Sequence, residues 1–198
     1  MKKAFLITAL SLGLTTSVIA QQGIYVQGDL GYSSIKIKSE NHKEKSKGLS
    51  PRLSLGYNFG DVRVALDYTH YKNKTISEKL NNNRMDKFTQ KFNSFGVSAI
   101  YDFSLDLPVT PYIGARISSN HWKFISKESN TRNQNINTHK YSKSKVGLGL
   151  LVGTSYNLMP NLDLDVGYHY NYWGKFKIDN SKVKINSHEF STGLRYTF

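Results

Sequence analysis

The chain has 198 residues and no cysteine, is rich in tyrosine (13), phenylalanine (10) and glycine (15), and carries a formal net charge of +13 with a mean hydropathy of -0.47. That length suits one domain, and a fold held by disulfides is excluded. No apolar run of about 20 residues follows the first few turns of chain, which excludes a helical membrane protein and leaves insertion possible only through strands with thinly spread apolar residues.

At the start, Lys2 and Lys3 precede the apolar stretch Ala4 to Leu14 and a small-residue exit at Val18, Ile19 and Ala20. This is the pattern of a secretory signal peptide over residues 1–20, with residues 21–198 as the exported domain. Eight segments then alternate apolar with polar or small residues, the period of a strand. Gly23 to Ser34 sets Ile24, Val26, Leu30 and Tyr32 against Gln27, Asp29 and Ser33. The pattern returns in Arg52 to Phe59, Val62 to Tyr71, Ser94 to Phe103, Pro111 to Ser118, Lys145 to Leu158 and Leu162 to Trp173. It ends in Asn186 to Phe198, whose final residue is aromatic with no polar tail after it.

The connections alternate in length. Gly60-Asp61, Ser104 to Thr110 and Met159 to Asn161 are short turns, whereas Ile37 to Ser50, Lys72 to Lys91, Asn120 to Lys143 and Gly174 to Val183 are long and polar. Short turns at one end and long loops at the other predict an all-β, eight-stranded antiparallel transmembrane β-barrel in the outer membrane, with periplasmic turns, extracellular loops and both termini in the periplasm. Tyr57, Phe59, Tyr101, Phe103, Tyr156, Tyr196 and Phe198 fall near one rim, and Tyr32, Tyr68, Phe95, Tyr170, Tyr172 and Phe190 near the other, as two aromatic girdles would.

The openings GIYVQGDLGYS and PRLSLGYNFGDVRVALDYTHY, the segment TPYIGARIS and the ending FSTGLRYTF resemble the opacity proteins of Gram-negative outer membranes, eight-stranded barrels related in pattern to outer-membrane protein A. The resemblance spans the strands and not the loops. It implies a barrel that displays variable loops for adhesion to host receptors, and a terminal aromatic residue, here Phe198, that is read by the barrel assembly machinery.

On the inward face Asp29, Arg52, Arg63, Asp67, Asp102, Arg116, Lys145, Asp163, Asp165, Glu189 and Arg195 would crowd an interior just wide enough for side chains. Both signs occur, so a plugging charge network is expected, with a narrow conduit for small solutes as the rival. His70, His121 and His188 match no catalytic spacing, and His42, His139 and His169 are too scattered for a metal site, so neither an enzyme nor a cofactor is expected. The loops are basic: Lys79, Arg84, Lys87, Trp122, Lys123, Lys127 and Arg132 are the candidate ligand contacts, offset by few acids such as Glu40, Glu78 and Glu128. Such a crown fits lipopolysaccharide phosphates, a host receptor or an acidic glycan, and nucleic acid matches the charge but not the location. Adhesion or host-surface recognition is therefore the expected function, ahead of passive porin activity and of a structural role in the envelope.

Deleting Phe198 should lower the amount of protein reaching the outer membrane while leaving export across the inner membrane intact, measured by fractionation and by heat-modifiable mobility on gels.

Overall fold

The computed structural model describes residues 22–38, 43–81, 84–105, 107–130, 135–178 and 181–198. The expected leader lies outside these residues. The chain forms β1 (Gly23–Lys38), β2 (Lys43–Asn58), β3 (Val62–Asn81), β4 (Arg84–Asp102), β5 (Val109–Asn130), β6 (Asn135–Met159), β7 (Leu162–Ile178) and β8 (Ser181–Thr197). They close, in that order, into one antiparallel barrel. Closure is made by β1 on β8, in register from Tyr25↔Thr197 to Lys38↔Lys184, and the Phe198 amide adds a 2.9 Å hydrogen bond to the Ile24 carbonyl.

The alternation resolves into an inside-out distribution. Phe190, Val146, Leu53 and Leu148 are more than 60% exposed, whereas Arg63 and Arg116 are 1% exposed and Glu189 is fully buried. In water this arrangement would be ruinous, because apolar surface would be wet and charge dry. Against hydrocarbon it is the favourable one, and the belt of exposed Ile, Leu, Val, Tyr and Phe is the lipid face. A soluble sandwich would show the reverse.

At one end the strands join through tight turns. Phe59 N–H donates to Val62 O at 2.8 Å, and Gly60 sits at φ 110°, in the left-handed region that a side chain rarely enters. At the other end the expected four long loops are instead continuations of the strands. Lys72 to Lys91 and Asn120 to Lys143 are paired nearly to their tips, down to Asn81↔Arg84 and Asn130↔Asn135, with a register shift between Tyr71 and Lys74. The polar sequences hide this, because in water neither face of a hairpin needs to be apolar.

Beyond the lipid face the apolar residues change sides. β1 runs Leu30, Tyr32 outward and then Ile35, Ile37 inward, and β8 has Phe190 and Leu194 outward but Val183 and Ile185 inward. Phe95 gives way to Phe92 on β4, Ile117 to Trp122 on β5, Tyr68 to Tyr71 on β3, and Tyr172 to Trp173 on β7. Up to the register shifts that follow Tyr71 on β3 and Tyr172 on β7 the strands keep their facing; the medium outside them turns from lipid to water, so the buried face becomes the apolar one.

The barrel also divides there. Pairing of β2 with β3 stops at Arg52↔Thr69, and that of β6 with β7 at Leu148↔Tyr172. Past these levels β7, β8, β1 and β2 form one leaf and β3 to β6 another. Ile35, Trp173, Val183 and Ile185 of the first leaf meet Tyr71 and Phe92 of the second in a buried cluster, with Ile37 and Trp122 packed at its edge.

Replacing Val152 by Arg, midway along the outward series of β6, should destabilise the barrel by about 2–4 kcal/mol, the cost of a cation at the bilayer midplane. Ser142→Gln, on the same strand beyond the lipid face, should change stability by less than about 0.5 kcal/mol. Urea midpoints of the protein refolded in vesicles would measure both.

Candidate functional site

Two places gather chemistry: the lumen and the hairpin end. Each strand of the lumen contributes every second residue, so the inward positions named from the sequence are stacked in tiers. Near the turn end, Arg63 forms a two-pronged pair with Asp102, both bonds 2.6 Å, and its guanidinium lies 5.1 Å from the centre of the Tyr112 ring. Tyr112 donates its hydroxyl to Asp165 at 2.8 Å. Arg195 donates to Asp163 at 2.9 Å and covers the Tyr25 ring.

At mid-height Arg52 donates to Glu189 at 2.6 Å, to Thr69 at 2.8 Å and to His169 Nδ1 at 2.7 Å. His169 Nε2 lies 3.1 Å from the Ser191 hydroxyl and 3.2 Å from the same Arg52 nitrogen. Arg116 pairs with Asp67 and donates to Ser94 at 3.1 Å, which in turn donates to Asn120 at 2.7 Å. Asp29 lies in the same tier and accepts from Gln27 at 2.9 Å. A cavity of about 30 Å³, touching Asp29, Arg52, Arg63 and Asp67, is the void between the tiers. It holds a couple of water molecules at most. Beyond the Arg52 tier the aromatic cluster forms a roof over the lumen, where Trp173 lies 5.3 Å from Tyr71 and 5.7 Å from Phe92 between ring centres.

Among the inward positions expected from the sequence, Lys145 is the exception: it is exposed, because β6 has parted from β7 at that level. The sequence reading passed over His169, Asn120, Asn171 and Tyr112 as members of the network. Their signal was parity, since each continues the inward series of its strand. It also passed over the roof, whose residues change parity relative to the lipid face.

At the hairpin end Lys87 and Lys127 are exposed and directly opposite each other on β4 and β5, and Lys123 stands opposite Lys91. Trp122, expected on a free loop, is half-buried instead: it stacks on Phe92 at 6.5 Å and meets Tyr141 edge-on at 6.1 Å. The roof needs its indole, and only part of the ring reaches the surface. Lys79 and Arg84 lie on β3 and β4 at positions whose side chains are outside the described set, and Arg132 lies outside the described residues. Phe198 is exposed at the turn-end rim, its ring 5.0 Å from that of Tyr196. Among the described residues no group of three or more potential metal ligands occurs.

The profile of the Opacity family porin protein family matches residues 55–198. Opacity protein opA58 of Neisseria gonorrhoeae is 32% identical over 236 residues, which takes in 89% of this chain and 89% of that one. Opacity protein V28 of the same organism is 32% identical over 233 residues, covering 89% of this chain and 97% of the relative. Among solved structures, Neisserial surface protein A superposes with a TM-score of 0.63 at 40% identity, over 89% of this chain and 97% of its own. Ail, the attachment invasion locus protein of Yersinia pestis, solved in complex with the heparin analogue sucrose octasulfate, gives 0.56 at 20% identity over 88% and 99%, a likeness of fold.

Arg116→Ala should cost about 3–5 kcal/mol, because it strands the buried Asp67 carboxylate, whereas Arg116→Met with Asp67→Leu should cost much less by removing both charges together. Denaturant midpoints of the three refolded proteins would compare them.

Proposed function

The chain belongs to the opacity family of outer-membrane β-barrel proteins, and from that premise we propose that it is a surface-recognition barrel whose hairpins face outside the cell and bind anionic partners on host surfaces. The termini and short turns then lie in the periplasm, where Phe198 serves the assembly machinery. The observation that carries the reading is the excess of positive charge past the lipid face. Lys38, Lys47, Lys87, Lys127 and Lys140 are exposed there, and in sequence the four stretches 37–50, 72–91, 120–143 and 174–183 hold eighteen Lys and Arg against six acids. A surface of net positive charge steers an oppositely charged partner and accelerates its encounter. A sulfated or otherwise acidic glycan fits that surface, and an acidic protein receptor fits it too. That Ail, a barrel of the same fold, was solved with a heparin analogue supports the glycan class.

Passive diffusion of solutes is the second reading, favoured by the family's porin name. Against it stand the four paired arginines, the small central cavity and the aromatic roof. A purely structural role in the envelope comes third, since it leaves the basic hairpins without a purpose. Catalysis is not part of this proposal: the His169 and Ser191 pair is sealed inside the lumen and no substrate could reach it.

Changing Lys87 and Lys127 to Gln should slow association with immobilised heparin or host cells and flatten its salt dependence, with surface abundance unchanged. Unaltered kinetics in a flow assay would move recognition off β4 and β5. Recording across planar bilayers should give no steady current from the purified barrel, and a steady channel altered by Arg63→Gln would promote the diffusion reading.

A further inference from the structure

The register of the hairpins contains a repeated electrostatic conflict. Lys36 of β1 is directly opposite Lys45 of β2, and Lys91 of β4 is directly opposite Lys123 of β5. All four lie on the outward-facing series, in line with Tyr32, Leu49, Phe95 and Ile117 of the lipid face. Like charges directly opposed across an antiparallel pair destabilise it, and opposed Cβ atoms are only about 5 Å apart. The outward neighbours offer no opposite charge, although His188 gives Lys36 a polar contact. Around the first pair stand Ser34, Lys38, Lys47, Asn186 and His188; around the second, Thr89, Asn93, His121, Ile125 and Ser142. None is acidic.

The same opposition recurs further out, at Lys38↔Lys43 and Lys87↔Lys127, and the Lys36 and Lys91 pairs are the ones nearest the lipid face. Lys36 is four residues beyond Tyr32 on β1, and Lys91 is four residues beyond Phe95 on β4. With a rise of about 3.4 Å per residue and a strand tilt near 40°, both pairs stand about 10 Å beyond the last aromatic ring of the lipid face. The girdle rings mark headgroup depth, and a lysine stem that bends back toward them brings its ammonium to the charged groups of the surrounding lipid. Two ammonium groups side by side at that depth are repulsive alone and become a clamp once a phosphate dianion sits between them, because each lysine then gains a charge-assisted hydrogen bond. Below the first clamp, Lys36 Nζ lies 3.4 Å from His188 Nε2, and His188 Nδ1 lies 2.6 Å from the Tyr168 hydroxyl, a polar step that holds the lysine stem down against the girdle.

We propose that the Lys36–Lys45 and Lys91–Lys123 pairs bind phosphates of the glycolipid that forms the outer leaflet, so that the barrel carries two headgroup clamps on opposite leaves. The inference rests on the outward orientation of the hairpins argued above, and goes beyond it in assigning these four lysines to the barrel's own membrane.

The test uses a change of sign. Lys45→Glu turns the first repulsive pair into a salt bridge, and Lys123→Glu does so for the second. In detergent free of phosphate each should raise the melting temperature of the full-length barrel. In bilayers containing bisphosphorylated lipid A each should lower it, because the clamp is lost, and with dephosphorylated lipid A the rise should return. A shift of the same sign in all three would overturn the proposal, as would equal protection by inorganic phosphate in detergent, which would make the sites general anion sites. Native mass spectrometry of the quadruple Lys36→Gln, Lys45→Gln, Lys91→Gln, Lys123→Gln protein should show several-fold less retained bisphosphorylated lipid A than wild type or Lys140→Gln. Equal retention would likewise overturn the clamps. Antibody against the β5–β6 hairpin, applied to intact cells, separates the two levels of argument: surface staining with no sign change refutes the clamps alone, and absence of staining refutes the orientation.

Discussion

Every feature of this protein follows from the need to satisfy backbone hydrogen bonds in a medium that offers none. A strand edge left open in hydrocarbon would cost several kcal/mol for each unmet amide or carbonyl, so β8 must return to β1 and close the ring. Closure at eight strands sets the width of the interior, and that width leaves room for side chains alone. The inward residues are polar because the outward ones must be apolar for lipid, and they are then obliged to find partners among themselves. Arg63 with Asp102, Arg52 with Glu189, Arg116 with Asp67 and Arg195 with Asp163 are the outcome. Such pairs add little net stability over an apolar core, but once charges are buried, each carboxylate needs its guanidinium.

The strands within the bilayer were legible because two media impose opposite demands on alternate residues. Leu148 and Leu150 against Gly147 and Gly149 can be read in one line of sequence, and the turn at Gly60-Asp61 marks its own position. The hairpins were not legible as strands. In KNKTISEKLN polar residues occupy both parities, so no hydrophobic period announces the pairing, and length alone suggested a loop. The roof was harder still, because Phe92 and Trp122 break the parity of Phe95 and Ile117 and look like disorder in the pattern. That break carries information: on each strand, the place where apolar residues cross from one parity to the other marks the membrane surface. Partner choice inside the lumen was illegible for a different reason. Parity puts Arg52 and His169 on the same face but cannot say that strands β2 and β7, which are not neighbours, meet across the axis.

Stability and the proposed recognition surface are consequently housed in different parts of one chain. The lumen and the lipid belt make the closed ring, and neither touches what lies beyond the bilayer. The two leaves above it share the aromatic cluster and little else, and they present lysines to the outside. Trp122 belongs to both sets, half in the roof and half at the surface, so a change there alters packing and contact together.

The parting of β2 from β3 and of β6 from β7 also bears on how densely such barrels can be packed together. Each parting turns an interior strand of the ring into an edge, and an edge strand exposes a row of backbone groups on which a strand of a neighbouring molecule could add. Here those edges carry Lys43, Lys45 and Lys47 on β2, Lys72 on β3, and Lys140, Lys143 and Lys145 on β6. The Lys72 stem lies over Gly48, where even a methyl group would collide with it, and closes that seam from the side. Charge on an exposed edge repels the like-charged edge of an identical chain, so neighbouring copies are kept from zipping together into sheets while the hairpins stay open to partners of opposite charge.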